Sequence, residues 1–285
     1  MGRAVATQRA YRSDWAAFAS WCATARVAAR PASASTVARY VDHLAARHAV
    51  ATVRRRLAAV RAEHVDHGAP SPTDAAPVRL AVARAAWRQR DRATTTTPIS
   101  VDALRAMSRA LPRSLAGTRD RAVLLLGYGA GLRPGELVRL DVAHVRRVAS
   151  GLRVDVGRRP VIVPFGSATE LCAVDAWSRW RRAASITAGP AFRAVNRHGR
   201  LGEGRLSVKA ITRIVRRAAD RAALDPARFR GSSLRRGTVV AATEHGASDA
   251  GIMAHTRHRS RRLVRRYMGT AAGRASPQSP TTDPA

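Results

Sequence analysis

The stretch 111-LPRSLAGTRDRAVLLLGYGAGLRPGELVRL-140 decides how the larger, C-terminal part of this chain folds. Its apolar run through Leu124–Leu126 predicts a buried helix. Glycines punctuate the turn that follows, and Pro134, suited to a first helical position, opens a short second helix. Arg133 stands just before that proline, where free backbone N–H groups favour an anion.

Working outward towards the C-terminus, 152-LRVDV-156 and 161-VIVPF-165 alternate with period two around 157-GRRP-160. That predicts a small β-hairpin with Arg158 and Arg159 in its turn. Three helices are expected next: around Leu171–Trp180, through Val208–Leu224, and beginning after 231-GSSLRRG-237. A closing helix carries Tyr267.

Towards the N-terminus, Tyr11, Trp15, Phe18 and Cys22 recur at helical intervals and form one apolar face. Pro31, Ser33 and Ser35 start a second helix bearing Val37, Tyr40, Val41 and Leu44. A third, 51-ATVRRRLAAVRAEHVDHG-68, buries Val53, Leu57 and Val60, shows Arg54, Arg55 and Arg56 on its other face, and stops at Gly68. Pro77 opens a fourth. The fold class is therefore mainly α with a small β-hairpin or sheet. The TTTTP run divides it: a helical domain at 1–93, a linker at 94–98, a second domain at 99–270 and a disordered Pro/Ser/Thr-rich tail at 271–285.

The charge balance narrows the partner. The chain has 51 basic and 19 acidic residues, a formal net charge of +32. The first hundred residues hold 16 of the basic and 6 of the acidic residues, and the remainder 35 and 13, so both halves suit the same polyanion. Nucleic acid is the first candidate. Fifty of the basic residues are arginine and only Lys209 is lysine, which makes any single arginine weak evidence. Cys22 and Cys172 have no ligand-like spacing and read as reduced core residues. The histidine pairs His43/His48 and His64/His67 lack further ligands, so no metal site and no cofactor are expected. The N-terminus has no apolar signal region and no stretch reaches membrane-spanning length, so a soluble cytoplasmic protein is expected.

Breaking a DNA strand without a metal needs three things. Cations must neutralise the phosphate oxygens, a nucleophile must lie in line, and the leaving hydroxyl must receive a proton. Two arginines from separate segments suit the first task, because each offers a planar fork of donors. A tyrosine suits the second, since its phosphodiester keeps the bond energy for rejoining.

The segments 131-GLRPGEL-137, 231-GSSLRRG-237, 257-RHRS-260 and Tyr267, in that order, resemble the tyrosine recombinase (phage integrase) family. The resemblance spans most of the chain: AYRSDWAAFASWC and ATVRRRLAAV look like that family's helical core-binding domain, and 98–269 like its catalytic domain. It implies Arg133 (with Glu136) as the first catalytic arginine, Arg235 as the second, His258 as a phosphate-contacting histidine and Tyr267 as the nucleophile. His258 precedes Tyr267 by nine residues, the interval the family carries. Arg236 competes with Arg235, and His255 with His258; only the match to the motif separates them. Tyr267 in isolation would more often be an aromatic anchor of the last helix, and the family spacing reverses that reading.

Three positions depart from the pattern. Ser232 stands where the family has its first histidine, Arg257 where it has a glycine, and the hairpin turn holds Arg158 and Arg159 where it has a proton-donating lysine. Arginine is a poor acid, its pKa lying above about 12. The resemblance thus implies a site-specific recombinase or integrase, slow if nothing replaces the lysine. It would bind double-stranded DNA, assemble as a tetramer on paired sites and associate with the nucleoid when bound. Arg54, Arg55, Arg158, Arg159 and Ser232 are further candidates for DNA contact. Two alternatives stand beside this reading: a catalytically impaired DNA-binding relative, and a type IB topoisomerase-like relaxase. The first would bind without forming a covalent adduct, and the second would relax plasmids that lack any target site.

Overall fold

The computed structural model describes residues 5–89, 96–157, 159–166, 168–262, 264–265 and 267. The chain divides into two compact units, Met1–Thr94 and Thr95–Ala285.

The first unit comprises α1 (Val5–Thr24), α2 (Ala34–Ala45), α3 (Val50–Asp66) and α4 (Ala76–Arg88). Phe18, Val37, Tyr40, Val41, Val53, Val60 and Val78 meet in its core. Phe18 and Tyr40 pack edge to face with centroids 4.9 Å apart, a favoured aromatic geometry. Ser33 caps α2 by accepting from the Thr36 N–H, one of the orphan donors that a helix start leaves open. His64 is fully buried and structural: the Ala32 N–H donates to its Nε2 at 3.0 Å, so its Nδ1 donates to the Val60 carbonyl at 2.9 Å. Among the described residues no three His, Cys, Asp or Glu gather as metal ligands. Arg54 and Arg55 are both exposed on α3. Arg55 nevertheless forms an ion pair with Asp14 of α1, which is 5% exposed, while Arg56 Nε lies 3.7 Å from the same carboxylate. A carboxylate sunk that far needs a cationic partner, so Arg55 ties α3 to α1, and Arg54 is the freer of the two.

The second unit runs α5 (Val101–Ala110), α6 (Leu115–Gly129), α7 (Pro134–Arg139), β1 (Val145–Val148), β2 (Gly151–Val156), β3 (Arg159–Val163), α8 (Ala173–Ala183), β4 (Arg193–Val195), β5 (Leu201–Arg205), α9 (Val208–Arg221), α10 (Ser232–Glu244) and α11 (Asp249–Thr256). Helical backbone resumes at 261–262, 264–265 and 267. Helix α6 is the hub, and Ala122 to Leu126 are all buried. Strands β1–β2–β3 form an antiparallel sheet in which Val154 pairs with Val145 on one side and Val161 on the other. Strands β4 and β5 form a separate pair.

The β2–β3 hairpin matches the sequence reading; β1 and the β4–β5 pair do not appear in it. VRRV and RAV are too short and too basic to show an apolar alternation. The hairpin turn is also tighter than expected. Val156 pairs with Arg159, so Arg159 opens β3, and Arg158 lies outside the described residues. Helix α10 starts at Ser232, inside the GSSLRRG segment rather than after it, because Gly231 already has helical dihedrals (φ −55°, ψ −29°). Residues 96–98, expected as linker, are bound into the second unit. Ile99 is fully buried, which drags backbone amides out of water and obliges them to find partners. The Thr97 N–H donates to the Arg228 carbonyl at 2.9 Å and the Ile99 N–H to the Ser233 carbonyl at 3.2 Å. The remainder of the linker, 94–95, and the tail at 271–285 lie outside the described residues. No described helix is long and apolar enough to cross a membrane.

Candidate active site

Helix α6 ends in a turn that only glycine enters readily: Gly131 has φ +54°. The chain then delivers Arg133 as the N-cap of α7. Glu136, three residues on, accepts from the Arg133 backbone N–H at 2.8 Å and from Arg133 Nη1 at 2.7 Å. Burial pushes the Glu136 carboxyl up, but the Arg133 hydrogen bonds and the Arg257 charge prevail and hold it below the usual carboxylate range. It is an anion at neutral pH.

Helix α10 supplies Arg235, which is 4% exposed. Its Nη1 donates to the Gly131 carbonyl at 2.7 Å and its Nε to His258 Nε2 at 3.3 Å, while Glu136 Oε2 lies 3.9 Å away. Its Nη2 is buried with no hydrogen-bond partner among the described residues. Such a donor in a buried cation marks a place built for something else. Burial, reinforced by Arg133, brings the guanidinium down to about 10, so it stays charged at neutral pH. The helix sits this close because residue 237 is glycine; a Cβ there would lie 2.1 Å from the Ile99 carbonyl oxygen.

Helix α11 closes on Arg257 at φ +58°, ψ +39°. A left-handed residue is common at this point of a helix but is usually glycine, and a side chain there costs about 1–2 kcal/mol. The next residue, His258, is 6% exposed. Since Arg235 Nε–H donates to its Nε2, its Nδ1 donates to Thr256 Oγ1 at 2.6 Å, and that hydroxyl passes its own proton to the Ile252 carbonyl at 2.5 Å. One tautomer satisfies the whole chain. Burial, then the charges of Arg235, Arg133 and Arg257, pull the imidazole down to about 4. His255 faces elsewhere and is held at the Gly129 carbonyl, 2.8 Å from its Nε2.

The depressed His258 has a consequence for stability. Between about pH 6.5 and pH 4 the unfolded chain binds a proton that the native imidazole refuses. The contribution is complete above about 6.5 and is lost as pH falls through that window, on the order of 1–3 kcal/mol. Urea melts at pH 7, 5.5 and 4.5 should therefore show a steeper acid loss for the parent chain than for His258→Asn. Equal slopes would contradict a neutral buried imidazole.

Tyr267 completes the group. Its ring centroid is 5.7 Å from that of His258, and the Arg236 guanidinium carbon lies 5.0 Å from the same centroid. The ring also packs beside Val239, Ile252 and Val264. Arg235 and Arg236, rivals in the sequence, thus point to different faces of α10: one to Gly131 and His258, the other to Tyr267 and, through Nη1, the Thr96 carbonyl at 2.6 Å.

Arg133, Arg235, His258 and Tyr267, separated by up to 134 positions (267 − 133), therefore share one neighbourhood. Counting Arg257, three guanidiniums surround the Glu136 carboxylate, a net +2 that suits a phosphodiester, and Arg236 stands beside the Tyr267 ring. Ser232 is half-buried in the first turn of α10 with no hydrogen bond from its side chain among the described residues. Arg159 is exposed and has no ion pair to the cluster among those residues. The sequence names Arg236 only as a rival to Arg235 and Arg257 only as a departure from a glycine; it assigns neither to the site. The clue to Arg257 was present, an arginine in place of glycine, but its reach depends on a left-handed backbone that one-dimensional spacing does not display.

The model of the phage integrase family matches residues 97–274. An "Integrase/recombinase xerD homolog" from Selenomonas ruminantium is 31% identical over 277 residues, covering 92% of this chain and 81% of the relative. Among solved structures, XerH site-specific recombinase bound to a palindromic difH substrate in a post-cleavage complex superposes with a TM-score of 0.60 at 13% identity, over 85% of this chain and 70% of that one. The Tn1549 transposon integrase in complex with transposon right end DNA gives 0.57 at 11% identity, over 84% of each. At such identities the two structures speak for the fold.

Proposed function

The chain belongs to the phage integrase family, and on that premise we propose that it is a site-specific tyrosine recombinase that breaks and rejoins duplex DNA with Tyr267 as nucleophile. Tyr267 gives up its phenolic proton as its oxygen attacks a backbone phosphorus, the bond to the 5′-oxygen breaks and that oxygen takes up a proton, leaving a 3′-phosphotyrosyl link and a free 5′-hydroxyl. The 5′-hydroxyl of an incoming strand reverses the step, so the phosphodiester energy is kept and no nucleotide is consumed. Arg133 and Arg235 neutralise the non-bridging oxygens as charge builds on them. His258 contacts the same phosphate, whose negative charge restores some of the basicity that its surroundings remove. Ser232 and Arg54 extend the contact to DNA, and protomers assemble as tetramers on paired sites.

The observation that carries this reading is the linkage Arg133–Glu136–Arg235–His258–Tyr267, by which four sequence-distant segments converge in one cationic cluster. It is tested by covalent trapping on nicked duplexes drawn from the DNA flanking the gene. An adduct that survives denaturation is expected. Tight binding with no adduct would leave only a non-catalytic DNA-binding relative.

The chemistry is expected to be slow. His258 holds its one proton towards Thr256, and the hairpin offers arginines instead of an acid of suitable pKa. The sole lysine, Lys209, lies in the first turn of α9. General acid help is worth roughly 10²–10⁴-fold, so Arg158→Lys is expected to raise the cleavage rate at least tenfold. No change in single-turnover rate would show that the leaving group is protonated from elsewhere.

A further inference from the structure

Arg257 does more than end a helix. Its guanidinium, 12% exposed, reaches out of α11 to four acceptors on other segments or its own. Nη2 donates to Glu136 Oε2 at 3.2 Å and to the Gly131 carbonyl at 3.3 Å, and Nη1 to the His255 carbonyl at 2.9 Å, with the Ala130 carbonyl at 3.3–3.4 Å. Two of these acceptors are shared with the arginines already described. Glu136 is also gripped by Arg133, and the Gly131 carbonyl by Arg235.

This sharing matters because Arg133 has two claims on one fork. Its Nη1 is spent on Glu136, yet the proposed chemistry asks that side chain to bind a phosphate. If Arg133 turned away with nothing to replace it, a half-buried carboxylate would lose its main partner beside an incoming anion, a costly arrangement. Arg257 already holds the second oxygen of that carboxylate. The backbone at φ +58° is what points the side chain inward.

We propose that Arg257 is a positioning residue: it retains Glu136 from the α11 side, so that Arg133 can exchange the carboxylate for the substrate phosphate. The inference rests on Arg133 being a phosphate ligand. It also accounts for an arginine, rather than glycine, at a left-handed position.

The test uses the full chain and two probes. Orthovanadate, a phosphate mimic followed by 51V NMR, reports on anion binding at the arginine cluster without any knowledge of the target site; single-turnover adduct formation reports on the reaction. Arg257→Gly removes the guanidinium while easing the backbone, and its affinity for orthovanadate is expected to fall roughly tenfold, as for loss of one charge-assisted contact. Arg257→Lys should recover part of the loss. In a Glu136→Gln background, where no carboxylate remains to be retained, Arg257→Gly should have less than a threefold effect. Circular dichroism and the melting temperature establish that each variant is folded. Undiminished orthovanadate affinity in folded Arg257→Gly overturns the proposal. So does an equal loss in both backgrounds, which would make Arg257 a direct ligand of the anion or a general structural support. If the vanadate results hold but the parent chain forms no DNA adduct, the positioning role stands and the strand-breaking reading fails.

Discussion

Tyr267→Phe is expected to abolish the covalent protein–DNA adduct while duplex affinity stays within about twofold of the parent. The change removes one oxygen and leaves the ring. Contacts with His258, Val239, Ile252, Val264 and the Arg236 guanidinium are made by the ring, so the fold and the cationic surround persist. Affinity for DNA is dominated by phosphate contacts spread over many arginines, and no single neutral hydroxyl controls it. The covalent step has no such redundancy, because attack needs the oxygen itself. The measurement is a denaturing gel of trapped nicked substrate beside a binding titration at fixed salt. An adduct of equal yield from the variant would assign the nucleophile to another residue.

Arg235→Ala should produce the second largest loss, a fall in single-turnover cleavage of roughly 10³–10⁵, the range found for arginines that stabilise phosphoryl-transfer transition states. Its weight comes from burial. A guanidinium that is 4% exposed acts through a less polar medium than a surface arginine, so each charge interaction counts for more. Alanine also leaves the Gly131 carbonyl to Arg257 alone and His258 Nε2 without its donor, so the imidazole should regain basicity. Arg235→Lys is expected to recover little. One ammonium cannot reproduce the planar fork that holds the Gly131 carbonyl and His258 while keeping a further N–H for the proposed phosphate. Cleavage within tenfold of the parent rate by the folded alanine variant would remove Arg235 from the machinery.

Much of the frame was open to reading along the chain. Continuous or evenly spaced apolar residues announce themselves, so α6, the core faces of α2 and α3, and the β2–β3 hairpin follow from pattern. The short strands β1 and β4 do not, since an arginine-rich strand has no alternation to count. The TTTTP run looked like free linker because its composition is polar, whereas Ile99 anchors residues 96–98 to Arg228 and Ser233. Arg55 looked like one more basic residue on a helix face until Asp14, forty-one positions away, proved to be its partner.

The sequence by itself determined the order of the candidate site residues, the nine-residue interval between His258 and Tyr267, and the cationic surplus that suits a polyanion. Those properties are local or additive, and survive in any conformation. Only the tertiary structure decided which arginines belong together. Arg257 and Arg236 stand beside Glu136 and Tyr267 while Arg55 pairs with Asp14, because a guanidinium reaches several ångströms and its partner depends on backbone dihedrals and on helices brought together from remote segments. Spacing along a chain does not carry that information; packing does.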